Sequence, residues 1–208
     1  MTNVADDGQV AVLLSPERLA PFVTIAGTEQ DAIRLHDQAL RLSAALMPVV
    51  AIMEIALRNA VCERLRAKLG VPNWLTAPPT SHLTWHKKEQ DGIKKAIAQA
   101  QRAAYAKLSN ANKKALDALA YPAGVPKHAG HAKRARARQA KINVGIGQTV
   151  AQLTLSFWKR LFSSDYESAL WKPILRQLFP NKGISRVLVA QHLEVIYEAR
   201  NRIAHHEA

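Results

Sequence analysis

Five residues near the C-terminal end carry side chains suited to chemistry: Arg200, Asn201, Arg202, His205 and His206. A guanidinium keeps its charge at any working pH and grips two phosphate oxygens at once. An imidazole, with an unperturbed pKa of about 6.5, gives and takes protons near neutrality. Cleavage of RNA without a metal needs these groups. A base takes the 2′-hydroxyl proton, an acid protonates the leaving 5′-oxygen and a cation holds the charge of the phosphorane, while a carboxamide orients either partner. Cations at a helix C-terminus also complement its dipole, so the residues alone leave both readings open.

The cluster closes the stretch 184–208, in which Leu188, Val189, His192, Val195, Ile196, Ala199 and Ile203 recur at helical spacing and Ser185 stands as N-cap. On that helix Asn201 stacks over His205 and Arg202 over His206. Arg200 and His205 fall roughly 140° apart around the axis. They cooperate only if the helix bends at its end or if the second member comes from another chain.

The rest of the chain reads as helices that position this end. Residues 1–14 form a lead-in. Ser15-Pro16-Glu17 starts a short helix that stops at Gly27, and Thr28 with Asp31 starts a long pattern running nearly to Leu69. Pro48 predicts a kink or break within it. Beyond Pro48 the residues Val49, Ile52, Met53, Ala56, Ala60 and Leu65 form a core-facing stripe, and Glu54 and Arg58 have the spacing of a surface pair. Residues 82–108 and 110–120 read as polar helices with weak apolar stripes, an arm more than core. Residues 149–162 and 166–179 each read as one further helix, with Trp158 and Trp171 as packing residues. No segment alternates with period two, so the fold class is all-α.

Composition bounds the partners. The 208 residues are 48% apolar and 22% charged, enough for one domain with a sizeable core. Net charge is +13 and pI about 10.2, the balance of a protein that meets polyanions. Between Asp117 and Asp165 there is no acidic residue, and Lys127, Lys133, Arg134, Arg136, Arg138 and Lys141 supply a cationic stretch. Such a stretch repels itself and stays mobile until it meets an anion, which makes these six candidate contacts to a nucleic-acid backbone; a solvated loop without a partner is the alternative. His82 and His86, and likewise His128 and His131, have ligand-like spacing but no carboxylate or cysteine to complete a set, so no metal and no cofactor is expected. Gly145-Ile146-Gly147 lacks the lysine of a P-loop. Cys62 alone excludes a disulfide framework and reads as an inert buried thiol. The acidic N-terminus is unlike a signal peptide, and the longest apolar run, 44–53, is too short to span a bilayer, so a cytoplasmic protein without membrane attachment is expected.

Arg200-Asn201-x-x-x-His205 resembles the Arg-x4–6-His motif of the HEPN superfamily, with a polar residue straight after the arginine. Together with EIALRNAVCERL, LSFWKRLF and LWKPILRQLFP, the RNRIAHHE end is similar to the Abi-like (abortive infection, AbiD/AbiF-type) proteins of bacteria. The likeness covers roughly residues 15–75 and 142–207. It implies a single HEPN-like helical domain over 15–208, with a polar helical arm and basic loop inserted at about 80–141. It further implies a homodimer whose two motifs face each other across a cleft, and a metal-independent endoribonuclease acting on RNA in phage defence or as a toxin, with an antitoxin, protein or RNA, as a candidate partner. A non-catalytic RNA- or partner-binding HEPN protein is the other function the resemblance allows. In the catalytic version Arg200 stabilises phosphate, Asn201 orients, and His205 is the acid/base with His206 as its rival. Glu54, Arg58 and Asn59 match the family's other signature helix and would line or brace the cleft, beside Arg202. Abi-like chains commonly continue past this HHE with a proline and a further helix, whereas here the sequence stops at Ala208.

Overall fold

The computed structural model describes residues 14–181 and 183–205, and among them every regular element is helical. The chain packs as two compact units. One comprises the chain up to Asn59 together with the segment from Val187 onward, and the other is Ala60–Arg186. This differs from one domain bearing an arm.

The first unit holds α1 (Pro16–Ala26), most of α2 (Glu29–Leu69) and α8 (Arg186–His205) from Val187 on. Gly27 ends α1 at φ 82°, a left-handed turn that a side chain would strain, and its N–H reaches Val23 O at 2.8 Å. Thr28 then starts α2: its Oγ1 accepts from the Asp31 N–H at 3.1 Å and donates to Asp31 Oδ2 at 2.9 Å. Pro48 lies inside an uninterrupted helix of 41 residues, so the expected break does not occur. Proline removes one ladder bond, that to the carbonyl of Ala44, and the helix continues through it.

The apolar stripe expected after Pro48 is covered at its far end, where Leu65 is fully buried, and open at its start. Val49 is 62% and Ile52 68% exposed, and Leu42, Leu46, Met47 and Ile55 are exposed as well. By length and composition alone α2 can cross a membrane, because an 18-residue stretch has mean hydropathy 1.8 and none of it is buried. The continuous helix thus extends the run that looked too short in the sequence. The small core of this unit is Leu19 and Phe22 of α1, Ala32 and His36 of α2, and Val189, Leu193 and Ile203 of α8. Phe22 meets His36 edge to face at 5.2 Å.

The second unit holds the end of α2, then α3 (Lys87–Ala106), α4 (Asn110–Ala120), α5 (His131–Gln139), α6 (Ile146–Val150) and α7 (Leu155–Arg160). It is the better packed of the two. Trp158, Leu161, Phe162, Leu170 and Leu175 are fully buried, as are Leu65 and Leu75. Residues 149–162 are not one helix. Leu153 and Leu155 are both buried, yet two residues apart on a helix they would face opposite ways. Extended backbone at Thr154 (φ −85°, ψ 164°) breaks the helix and turns both inward. Residues 166–179 likewise split into a 3₁₀ turn (Ser164–Tyr166), a π turn (Glu167–Trp171) and a 3₁₀ turn (Leu175–Leu178), around Pro173, which has no N–H to continue a ladder.

The polar helix α3 is core and not a loose arm. It buries Ile93, Ala96 and Ala100, and also the carboxylate of Glu89, which is 1% exposed. The Tyr166 hydroxyl donates to Glu89 Oε2 at 2.7 Å and accepts the His86 N–H at 2.9 Å. Arg160 Nε donates to Glu89 Oε1. Burial alone would raise the Glu89 carboxyl pKa, but the bonds from Arg160 and Tyr166 together outweigh it and hold the group below its ordinary 4.5. A folded-state pKa below the unfolded one means stability that is complete above about pH 4.5 and lost as pH falls through the folded value. Glu89→Gln therefore lowers the unfolding free energy at pH 7 by about 2–3 kcal/mol, read by urea denaturation. The gap to wild type narrows as pH is taken down through 4; a gap independent of pH would contradict the ionic role.

Candidate functional site

The α8 cluster sits on regular helix. The backbone stays helical through His205, so positions 200 and 205 remain roughly 140° apart around the axis. The bend that would unite them within one chain does not occur in the described residues. Arg200 and Asn201 are half-buried and Arg202 is exposed, whereas His206 lies outside the described residues. Arg200 Nη1 donates to Asn201 Oδ1 over 3.3 Å. Among the described residues no carboxylate neutralises Arg200.

The second Arg-Asn pair repeats that contact. On α2, Arg58 Nε donates to Asn59 Oδ1 over 3.5 Å, and the guanidinium does not pair with Glu54 four residues earlier. Glu54 and Arg58 are half-buried and Asn59 is exposed. Both Arg-Asn pairs belong to the first unit. Among the described residues no hydrogen bond or ion pair links Glu54, Arg58 or Asn59 to Arg200 or Asn201. The structure thus supplies two like cation–carboxamide units without joining them.

The basic stretch is ordered by the one carboxylate that precedes it. Residues 131–139 form α5, packed against α4 and α3, where a mobile loop was expected. Arg134 and Arg138, four apart and so on one face, both bond Asp117 of α4. Arg138 does so through Nε at 2.7 Å and Nη2 at 2.6 Å, and Arg134 through Nε at 3.0 Å and through Nη2. The bonds from Arg138 and then Arg134 hold the Asp117 carboxyl far below the usual carboxylate range. Lys133 and Arg136 are exposed, on a face about 150° around the helix from the Arg134/Arg138 face. The six candidate nucleic-acid residues therefore divide: Arg134 and Arg138 hold α5 in place, while Lys127, Lys133, Arg136 and Lys141 are exposed.

The histidines with ligand-like spacing turn to other partners. His82 Nδ1 lies 2.9 Å from Ser81 Oγ, and the His86 ring meets Tyr166 edge to face at 4.9 Å. Cys62 is half-buried. A cleft of about 470 Å³ beside α3, lined by Leu75, Leu83, Trp85, Ile93, Ile97 and Lys94 among others, has an apolar floor without an acid–base pair. The Glu89, Arg160 and Tyr166 network had no signal in the sequence, because Glu89 lies more than seventy residues from both of its partners.

No family model, curated protein or solved structure matches the chain. The geometry of its own residues therefore carries the functional reading.

Asp117→Asn removes the charge that two guanidiniums share. Amide hydrogen exchange across residues 131–139 is expected to accelerate at least tenfold at pH 7, with that of α7 unchanged. Unaltered exchange in α5 would show that apolar packing alone holds the helix.

Proposed function

We propose that the chain is a HEPN-type endoribonuclease of the Abi-like kind, acting as a homodimer on RNA without a metal, in phage defence or as a toxin. The observation that carries the reading is Arg200: half-buried, turned to a carboxamide and left without a neutralising carboxylate among the described residues. A guanidinium in that state keeps its full charge for an incoming phosphate. In the reaction the 2′-oxygen attacks phosphorus as its proton passes to a base. Arg200 stabilises the phosphorane, and the 5′-oxygen leaves with a proton from an acid, giving a 2′,3′-cyclic phosphate and a 5′-hydroxyl. His205 serves as acid/base, with His206 as the rival for the role, and Asn201 keeps the guanidinium oriented. Glu54, Arg58, Asn59 and Arg202 brace the cleft. An antitoxin, protein or RNA, would act by covering it.

Two features favour a second copy. Positions 200 and 205 lie roughly 140° apart around the helix, so complementary members from two chains complete a site more readily than one chain does. The exposed apolar residues of α2 are spread around the whole helix, from Leu40 and Met47 on one side to Val49 and Leu42 on the other. A helix apolar all round needs cover on several sides. Glu54 and Arg58 lie in its later half, where helices of a second chain suit it better than hydrocarbon.

Incubation with RNA in EDTA tests the chemistry. Cleavage giving cyclic-phosphate ends is expected, reduced by about 10²-fold or more in Arg200→Ala and His205→Ala. Undiminished cleavage in both variants would sink the site assignment. Salt-sensitive RNA binding without turnover in wild type would instead mark a non-catalytic RNA-binding protein.

Sedimentation tests the assembly. Wild type is expected to be a dimer at micromolar concentration, and Val49→Glu with Ile52→Glu a monomer that has lost cleavage, since each covered Val or Ile contributes about 1.5–3 kcal/mol. A wild-type monomer, or recovery of the protein with the membrane fraction, would overturn the dimer.

A further inference from the structure

The excess charge of this protein is concentrated. Residues 87–141 hold fourteen of the 29 Lys and Arg but only three of the 16 Asp and Glu. One of those three, Glu89, is buried against Arg160, and another, Asp117, is taken up by Arg134 and Arg138. The third, Asp91, pairs with Lys87 at 3.0 Å. Among the described residues no ion pair engages the remaining lysines and arginines of the segment.

Helix α3 arranges four of these cations, together with Lys87, in a line. At 100° per residue, Lys87, Lys88, Lys94, Lys95 and Arg102 fall within an arc of about 120°, in which Asp91 is the one acid. The buried Glu89, Ile93, Ala96 and Ala100 fall on the opposite side, centred about 170° away. All five cations are exposed, and among the described residues no ion pair engages Lys88, Lys94, Lys95 or Arg102. At 1.5 Å per residue the ridge is about 22 Å long. Its buried face is held through Glu89 to Arg160 and Tyr166.

We propose that this ridge of α3 docks the phosphate backbone of a double-helical nucleic acid, in preference to a single strand. Two observations select the duplex. Proteins that hold single strands offer aromatic faces on which bases stack, at about 1–3 kcal/mol per base. The aromatic residues of 87–141 are Tyr105 and Tyr121, and neither is an open platform. Tyr105 lies under the Lys113 ammonium at 5.2 Å and accepts a bond from Arg138, and the Tyr121 hydroxyl is buried. Second, the ridge runs along one regular helix whose opposite face is buried. A duplex is stiff over tens of base pairs and meets a 22 Å row of charges without losing conformational freedom. A single strand would have to be ordered along it with no stacking to offset that cost. Contacts of this kind read phosphate and shape, not sequence. The proposal rests on the ribonuclease reading only in taking nucleic acid as the polyanion, and it assigns to substrate capture a surface separate from Arg200.

Fluorescence anisotropy in EDTA, with labelled 20-base-pair RNA duplex, DNA duplex and single-stranded RNA of the same length, tests it. Lys94→Gln, Lys95→Gln and Arg102→Gln are combined in one variant, and circular dichroism confirms its fold. Duplexes are expected to bind wild type at least tenfold tighter than the single strand. The triple variant should lower duplex affinity about tenfold or more and flatten the slope of log K against log salt by about 2–3. RNA duplex bound as tightly as DNA would identify phosphate as the feature read; tighter RNA binding would add the A-form shape. Single-strand binding equal to or tighter than duplex binding, or an unchanged affinity in the folded triple variant, would overturn the proposal. Arg200→Ala separates the two readings: it is expected to abolish cleavage and leave duplex affinity intact. Absence of cleavage in wild type with ridge-dependent duplex binding would reject the nuclease and retain the docking surface.

Discussion

A single carboxylate, taken out of water at Glu89, organises the larger unit. Its two oxygens are met by Arg160 from α7 and by Tyr166 from the 3₁₀ turn that follows, and the same tyrosine hydroxyl receives the N–H of His86 at the start of α3. An isolated charge at that depth would cost several kcal/mol, so the three elements are bound to one geometry. Trp85 packs its ring near both Phe157 and Tyr166 and donates its indole N–H to Leu75 O. The loop 70–86 is thereby held by the same cluster. Helix α3 then has a defined inner face, and its charged outer face follows from that constraint.

The chain handles its surplus positive charge in two ways. Where an acid is available it fixes structure: Asp117 holds two arginines and converts a self-repelling stretch into the helix α5. Elsewhere the cations are left outward on helices, as with Lys133 and Arg136 on α5 and the ridge on α3. Fixed cations in rows suit a stiff polyanion better than a flexible one. The proposed chemistry at Arg200 uses a third arrangement, a half-buried guanidinium steered by a neutral carboxamide, which orients the charge without cancelling it.

The smaller unit is built differently. Its few buried side chains come from α1, the start of α2 and α8, while the middle of α2 presents Leu42, Leu46, Val49 and Ile52 outward. Apolar surface of that extent on one helix asks for cover. The Arg58-Asn59 pair follows this stretch on the same helix and repeats the contact made by Arg200-Asn201. The proposed dimer would bring the apolar surface and the repeated motif into a single assembly.

The all-α class, the bounds of α4 and the start of α2 at Thr28 were legible in the sequence, because they depend on local periodicity and on capping within four residues. Burial of Trp158 and Trp171 was legible as well, since large apolar rings in a helical pattern find the core. The candidate site was legible only as a spacing, Arg200 with Asn201 and His205, which the proposed dimer would complete from a second chain. Tertiary structure decided what local rules leave open. Pro48 stays within a continuous helix, and residues 149–162 break where two leucines are both buried. The polar α3 is core because a tyrosine and an arginine more than seventy residues away satisfy its one buried acid. The division of the six basic residues into two structural and four exposed ones rests on a partner, Asp117, seventeen and twenty-one residues away. Pairings at that range depend on how helices pack, and no periodicity in the sequence encodes them.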